Sequence, residues 1–145
     1  MHITVRKVNR SDFAEITELL KQLWPGKCLD RDKLSTVFDQ MIEADEYDLV
    51  CAEKGQEIVG FASLAVLQNF WQEGLIMYIT TMIVDEKHRG RGIGKTLMAR
   101  IAEIARQRGC AKIELESAFH RTDAHAFYEK MGFEKRAYFF SKDIL

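Results

Sequence analysis

Three glycines alternate with other residues in His88-Arg89-Gly90-Arg91-Gly92-Ile93-Gly94-Lys95-Thr96, directly after the apolar run Met82-Ile83-Val84. From Gly94 onward the apolar residues Leu97, Ile101, Ile104 and Ala105 recur at helical spacing, so the glycines stand where a helix begins. A helix start leaves its first N–H groups without partners and carries about half a positive charge. Glycine lets a ligand approach that backbone closely, and no Ser or Asp occupies the capping position to compete. Arg89, Arg91 and Lys95 add cationic groups, and His88 adds one when protonated. The pattern is that of a cradle for a phosphate or a similar oxyanion.

Spacing separates three ligands. A dinucleotide site needs Gly-x-Gly-x-x-Gly, and after Gly90 and Gly92 the third glycine falls on Lys95. A nucleoside-triphosphate loop would use Gly94-Lys95-Thr96 as its end, but its first glycine would fall on Arg89. That near miss keeps a nucleoside-triphosphate hydrolase as a second alternative. The third pattern, (Arg/Gln)-x-x-Gly-x-(Gly/Ala), is met in full by Arg89 to Gly94.

The elements that must position this turn follow from periodicity. Ile3 to Val8 alternates as a half-buried strand does, and Ser11 and Asp12 can cap a helix carrying Phe13, Ile16, Leu20 and Leu23 until Pro25 and Gly26 stop it. Leu34, Val37, Phe38, Met41 and Ile42 mark a second helix capped by Asp30. Tyr47 to Glu53 and Ile58 to Leu67 form an antiparallel hairpin around Gly55. Leu75 to Val84 is nearly all apolar, as a central strand covered on both faces is, and Phe70 and Trp71 in the preceding loop are expected to fold back and pack. Gly94 to Arg108 is a helix, Ile113 to Ser117 a strand, Ala124 to Met131 a short helix and Tyr138 to Lys142 a last strand. This order predicts one domain over residues 1–145. Its fold class is α/β (α+β): a mixed, mostly antiparallel twisted sheet of about six strands flanked by about four helices, with a cleft between the two central strands.

A second block, Asp123-Ala124-His125-Ala126-Phe127-Tyr128-Glu129-Lys130-Met131-Gly132-Phe133, lies downstream of the glycines. With both motifs in this element order, the chain resembles the GNAT superfamily of acyl-CoA-dependent N-acyltransferases over essentially its whole length. The resemblance implies acetyl-CoA as co-substrate, with its pyrophosphate on the backbone of Arg89, Gly90, Arg91, Gly92, Ile93, Gly94 and Lys95 and its pantetheine arm along Met82, Ile83 and Val84. It implies a primary amine as acceptor, an oxyanion donor among the N–H groups near Met82 or Ile83, and Tyr128 as the acid that protonates the leaving thiolate. Many members carry a base glutamate where this chain has Thr80, and an asparagine where it has Arg121. The base therefore falls to Glu73, Glu116, His120 or His125, with His120 first because it follows the strand bordering the cleft. The stretch His120 to Tyr128 is similar to aminoalkylphosphonate and aminoglycoside N-acetyltransferases, which points to a small-molecule amine. A binding-class alternative is a catalytically idle acyl-CoA sensor, favoured by Thr80.

Composition bounds the partners. The 145 residues carry 21 Lys and Arg against 22 Asp and Glu, a net charge of −1, which supplies no global field for nucleic acid or an anionic membrane. No run approaches the ~20 apolar residues of a membrane span, and the N-terminus lacks a secretory pattern, so the expected location is cytoplasmic. Cys28, Cys51 and Cys110 fit no disulfide framework and are expected to be reduced core thiols. The four histidines are not spaced as metal ligands. The acidic run Asp45, Glu46 and Asp48 is expected to be a solvated turn, and Phe139 and Phe140 offer an apolar edge for a homodimer.

Overall fold

The periodicities settle into five strands and four α-helices over residues 2–145, which the computed structural model describes. They run β1 (Thr4–Lys7), α1 (Phe13–Leu23), α2 (Arg31–Glu43), β2 (Tyr47–Lys54), β3 (Glu57–Asn69), β4 (Gly74–Val84), α3 (Ile93–Gln107), β5 (Ile113–Leu115) and α4 (Thr122–Lys130). The chain divides into two compact units, one ending at Glu114 and the other spanning Leu115–Leu145.

In the first unit the strands lie in the order β1-β2-β3-β4-β5. Neighbours from β1 to β4 are antiparallel. The Ala111 N–H donates to the Leu75 carbonyl and the Met77 N–H to the Lys112 carbonyl, both at 2.9 Å. Partner numbers rise together, so β5 enters parallel to β4 and the sheet is mixed. Alternate residues feed opposite faces. Cys51, Phe61 and Ile83 join Ile16, Leu20 and Phe38 under α1 and α2. Ala52 and Val59 meet Ile93 of α3 on the other side. Gly60 makes that second contact possible, because a Cβ there would stand 3.3 Å from the Ala52 Cβ, 3.4 Å from the Ile83 carbonyl and 3.5 Å from Ile93.

Asp12 enters α1 differently from a simple cap. Its carboxylate reaches back to the Asn9 N–H at 2.7 Å, closing a capping box, and takes the Arg6 guanidinium. Asp30 caps α2 as expected, accepting from the Lys33 N–H at 3.1 Å.

Four expectations are corrected. Phe70 and Trp71 do not fold back; they are 103% and 81% exposed. The β3–β4 hairpin runs past the last β2 pair, Tyr47 with Ala65, so among the described residues no strand flanks its tip on the β2 side. Of the cysteines only Cys51 is a core thiol, its pKa pushed up to about 11 by burial, with Arg6 pulling the other way. Cys28 is exposed, in the connection between α1 and α2, and Cys110 is half-buried. The acidic run is a junction rather than a freely solvated turn: Arg108 donates to the Asp45 carbonyl and forms an ion pair with Asp48 at 3.5 Å.

The fourth correction lies in the second unit. Gly132, at φ +96°, ends α4, and beyond it Tyr138 to Lys142 forms no strand among the described residues. An extended segment becomes a strand only by pairing, and Tyr138, Phe139 and Phe140 are exposed.

Candidate active site

The junction between β4 and α3 is built from the strand outward. The Asp85 N–H donates to the Val59 carbonyl at 2.8 Å, and the Asp85 carboxylate turns inward to accept from Gln22 and from the Lys87 N–H, each at 3.2 Å. Burial works to raise the Asp85 pKa, but the bonds from Lys87, Gln22 and His88 outweigh it and hold the carboxyl below its ordinary range. Gln22 also accepts from the Glu86 N–H at 3.0 Å. His88 is thus not a free cation over the loop: its Nδ1 lies 3.3 Å from Asp85. Glu57, Asp85 and His88 bring ligand-type atoms within 4.8 Å of one another, but the Asp85 oxygens are already taken by Gln22, the Lys87 N–H and His88, and these bonds fix the start of the loop.

Beyond it the backbone opens. Gly90 and Gly92 have φ of +77° and +80°, and Gly92 is the N-cap of α3 with no side chain capping the helix. A Cβ at either glycine would meet nothing within 4 Å. They are therefore not packing glycines like Gly60. Among the described residues no N–H from Arg89 to Lys95 donates a backbone hydrogen bond; the first to do so is that of Thr96, to the Gly92 carbonyl at 3.0 Å. Ile93 is 1% exposed and anchors the helix, leaving only its N–H for a ligand. Arg91 and Lys95 are exposed at the rim, and Arg89 donates from Nε to the Val84 carbonyl at 3.1 Å. These groups fit a pyrophosphate: a row of free donors, open space above the glycines and cations alongside.

A bulge in β4 orients the adjoining strand. Ser63 faces Thr81 and Leu64 faces Ile79, so Thr80 is the extra residue. Before it, odd-numbered residues turn their amides toward β5, as Met77 does. After it, odd-numbered residues turn toward β3, as Asp85 does. Hydrogen-bonding direction alternates along a strand, so Met82 and Val84 direct their N–H groups to the edge away from β3. Among the described residues neither amide has a backbone acceptor.

In the second unit Tyr128 sits on α4 between the rings of Phe127 and Phe133, with centroids at 5.5 and 5.7 Å. Burial raises its pKa, and the positive charge of Arg121 works against that rise. His120 is exposed ahead of the helix, and the His125 Nε2 lies 2.9 Å from the Ala118 carbonyl.

Comparison with known proteins decides the family. The model of the acetyltransferase (GNAT) family matches residues 13–133. The chain belongs to the GNAT acetyltransferase family. It is 33% identical over 133 residues to a glucosamine 6-phosphate N-acetyltransferase of Trypanosoma brucei brucei, covering 90% of this chain and 88% of that one. It is 34% identical over 134 residues to an aminoalkylphosphonate N-acetyltransferase of Salmonella typhimurium, covering 92% and 84%. In fold it matches the aminoglycoside N-acetyltransferase AAC(6')-Iy, solved in complex with CoA, with a TM-score of 0.86 at 22% identity over 99% and 96% of the two chains.

The chain is accordingly an acetyl-CoA-dependent N-acetyltransferase. The acetyltransferase brings Met82 to Val84 and Arg89 to Lys95 to one end of β4 and the start of α3, as the sequence leads one to expect. Glu73 drops out as a base, because nine residues of strand at ~3.3 Å each set it roughly 30 Å from Met82. Sequence reasoning missed Ser63, whose hydroxyl lies 2.5 Å from that of Thr80. It also missed Gln22 and Asp85 as supports of the loop. Two adjacent threonines in an otherwise apolar strand were the visible signal for the first.

Proposed function

We propose that this acetyltransferase moves the acetyl group of acetyl-CoA to the primary amine of a small molecule, one bearing a phosphate or phosphonate. The observation that carries the reading is the open row of amides from Arg89 to Lys95, continued by the N–H groups of Met82 and Val84. The thioester supplies an activated acetyl group. Met82 donates its N–H to the thioester carbonyl oxygen as negative charge builds there, a type of contact worth several kcal/mol in a transition state. An aliphatic ammonium has a pKa of about 10.4 and must lose a proton before it attacks. His120 is the group assigned to accept it. Tyr128 gives its proton to the departing sulfur; burial keeps the phenol protonated at neutral pH.

The anionic acceptor is supported by two relatives at 33% and 34% identity, named for a sugar phosphate and for aminoalkylphosphonates. It is supported also by Arg121, a cation where many members have an asparagine. The same reading takes the enzyme to be cytoplasmic, without nucleic-acid or membrane partners, and to form a homodimer through Tyr138, Phe139 and Phe140. The decisive experiment measures free thiol from acetyl-CoA over a panel of amines that includes glucosamine 6-phosphate, 2-aminoethylphosphonate and an aminoglycoside. Turnover is expected with the first two. Coenzyme A binding without turnover of any amine would favour an idle sensor.

A further inference from the structure

Thr80 is exposed, yet its hydroxyl turns into the sheet. It donates to the Ser63 carbonyl at 3.1 Å, and the Ser63 hydroxyl, 2.5 Å away, is then the donor to Thr80 Oγ1. Ser63 is only 3% exposed, so its hydroxyl has no water to turn to. This closed pair sits on the bulge, where Thr80 and Thr81 share one partner residue.

We infer that Ser63 and Thr80 are positioning residues that pin the bulge and thereby aim the Met82 and Val84 amides at the open edge of β4. Without the bulge, a strand continuing the register of Leu64 with Ile79 would pair Ser63 with Thr80 and Phe61 with Met82, and turn those two amides into the ladder with β3. The side chain that replaces the familiar glutamate is thus committed to the backbone rather than to proton transfer. The inference rests on the proposed acetyl transfer for its kinetic consequence alone. A donor displaced from the developing charge costs roughly 10–100-fold in rate.

The test compares Thr80→Val, which keeps shape and loses the hydroxyl, with Ser63→Ala, Thr80→Ser and the double variant Ser63→Ala/Thr80→Val. Acetyl-CoA and the better of glucosamine 6-phosphate and 2-aminoethylphosphonate serve as substrates. For Thr80→Val, kcat is expected to fall roughly 10–100-fold while KM for acetyl-CoA changes about threefold or less. Thr80→Ser should keep kcat within about threefold, and the double variant should be no slower than Thr80→Val, because that variant already loses the one bond that Ser63→Ala removes. A Thr80→Val enzyme with unchanged kcat and a lowered Tm would make the pair merely structural and overturn the inference; losses that multiply in the double variant would also overturn it. Amide exchange gives a readout without turnover. Coenzyme A should protect the Met82 and Val84 amides in the native chain and not in Thr80→Val; equal protection in both would overturn the lock. If the native chain shows this protection but acetylates no amine, the activity reading fails and the lock stands.

Discussion

The guanidinium of Arg6 takes both oxygens of Asp12, Nη1 to Oδ2 at 2.8 Å and Nη2 to Oδ1 at 3.0 Å, and so ties β1 to the start of α1. Arg6 also reaches Glu53 on β2 at 3.1 Å. The bond from Arg6 holds the Asp12 carboxyl below its ordinary pKa, against the opposing effect of burial.

A carboxyl depressed in the folded state contributes stability above its unfolded pKa, about 3.9, and that contribution is lost as pH falls through the folded value. Asp12→Asn should therefore cost about 2 kcal/mol at pH 7. The gap from the native chain should close as pH falls below 4, measured by urea unfolding at each pH.

Gly92 holds φ +80° with open space where a Cβ would stand. Gly92→Ala places a methyl group in that space and strains the N-cap by about 1 kcal/mol. Coenzyme A affinity, read by calorimetry, should fall at least about tenfold, with a smaller loss in Tm than in binding.

Tyr128→Phe should lower kcat by about 100-fold with coenzyme A affinity unchanged, the scale of a lost general acid. Since burial raises the phenol pKa, the native rate should hold through pH 9 and fall only above the ordinary tyrosine range near 10. A Phe variant with the native rate throughout that range would remove Tyr128 from proton transfer.

Glu73 adopts φ +55° at the tip of the β3–β4 hairpin, a left-handed conformation that glycine reaches without strain. Glu73→Gly should raise stability by up to about 1 kcal/mol by thermal unfolding. It should leave acetyl transfer as it was, because the tip is remote from Met82.

The α3 start was legible because glycine spacing speaks directly of backbone, and the unbonded donors there are backbone amides. The Phe127–Tyr128 block was legible for a similar reason, its residues forming one helix with its own glycine stop at Gly132. The bulge at Thr80 was not. Leu75 to Val84 is nearly all apolar and carries no regular alternation, so nothing in it records which residue faces which on β3. Phe70 and Trp71 misled because their apolar character says nothing of how far a hairpin arm runs beyond its neighbours. Tyr138 to Lys142 misled because strand propensity is realised only where a partner stands alongside.

Helix α3 is seated at one end by Ile93 against Gly60 and tethered at the other by Arg108 to the α2–β2 junction. Fixed at both ends, it gives the proposed coenzyme site a shape set in advance. The entropy lost on association then falls on the long flexible arm of the incoming molecule, which must straighten along the sheet, and hardly at all on the protein that receives it.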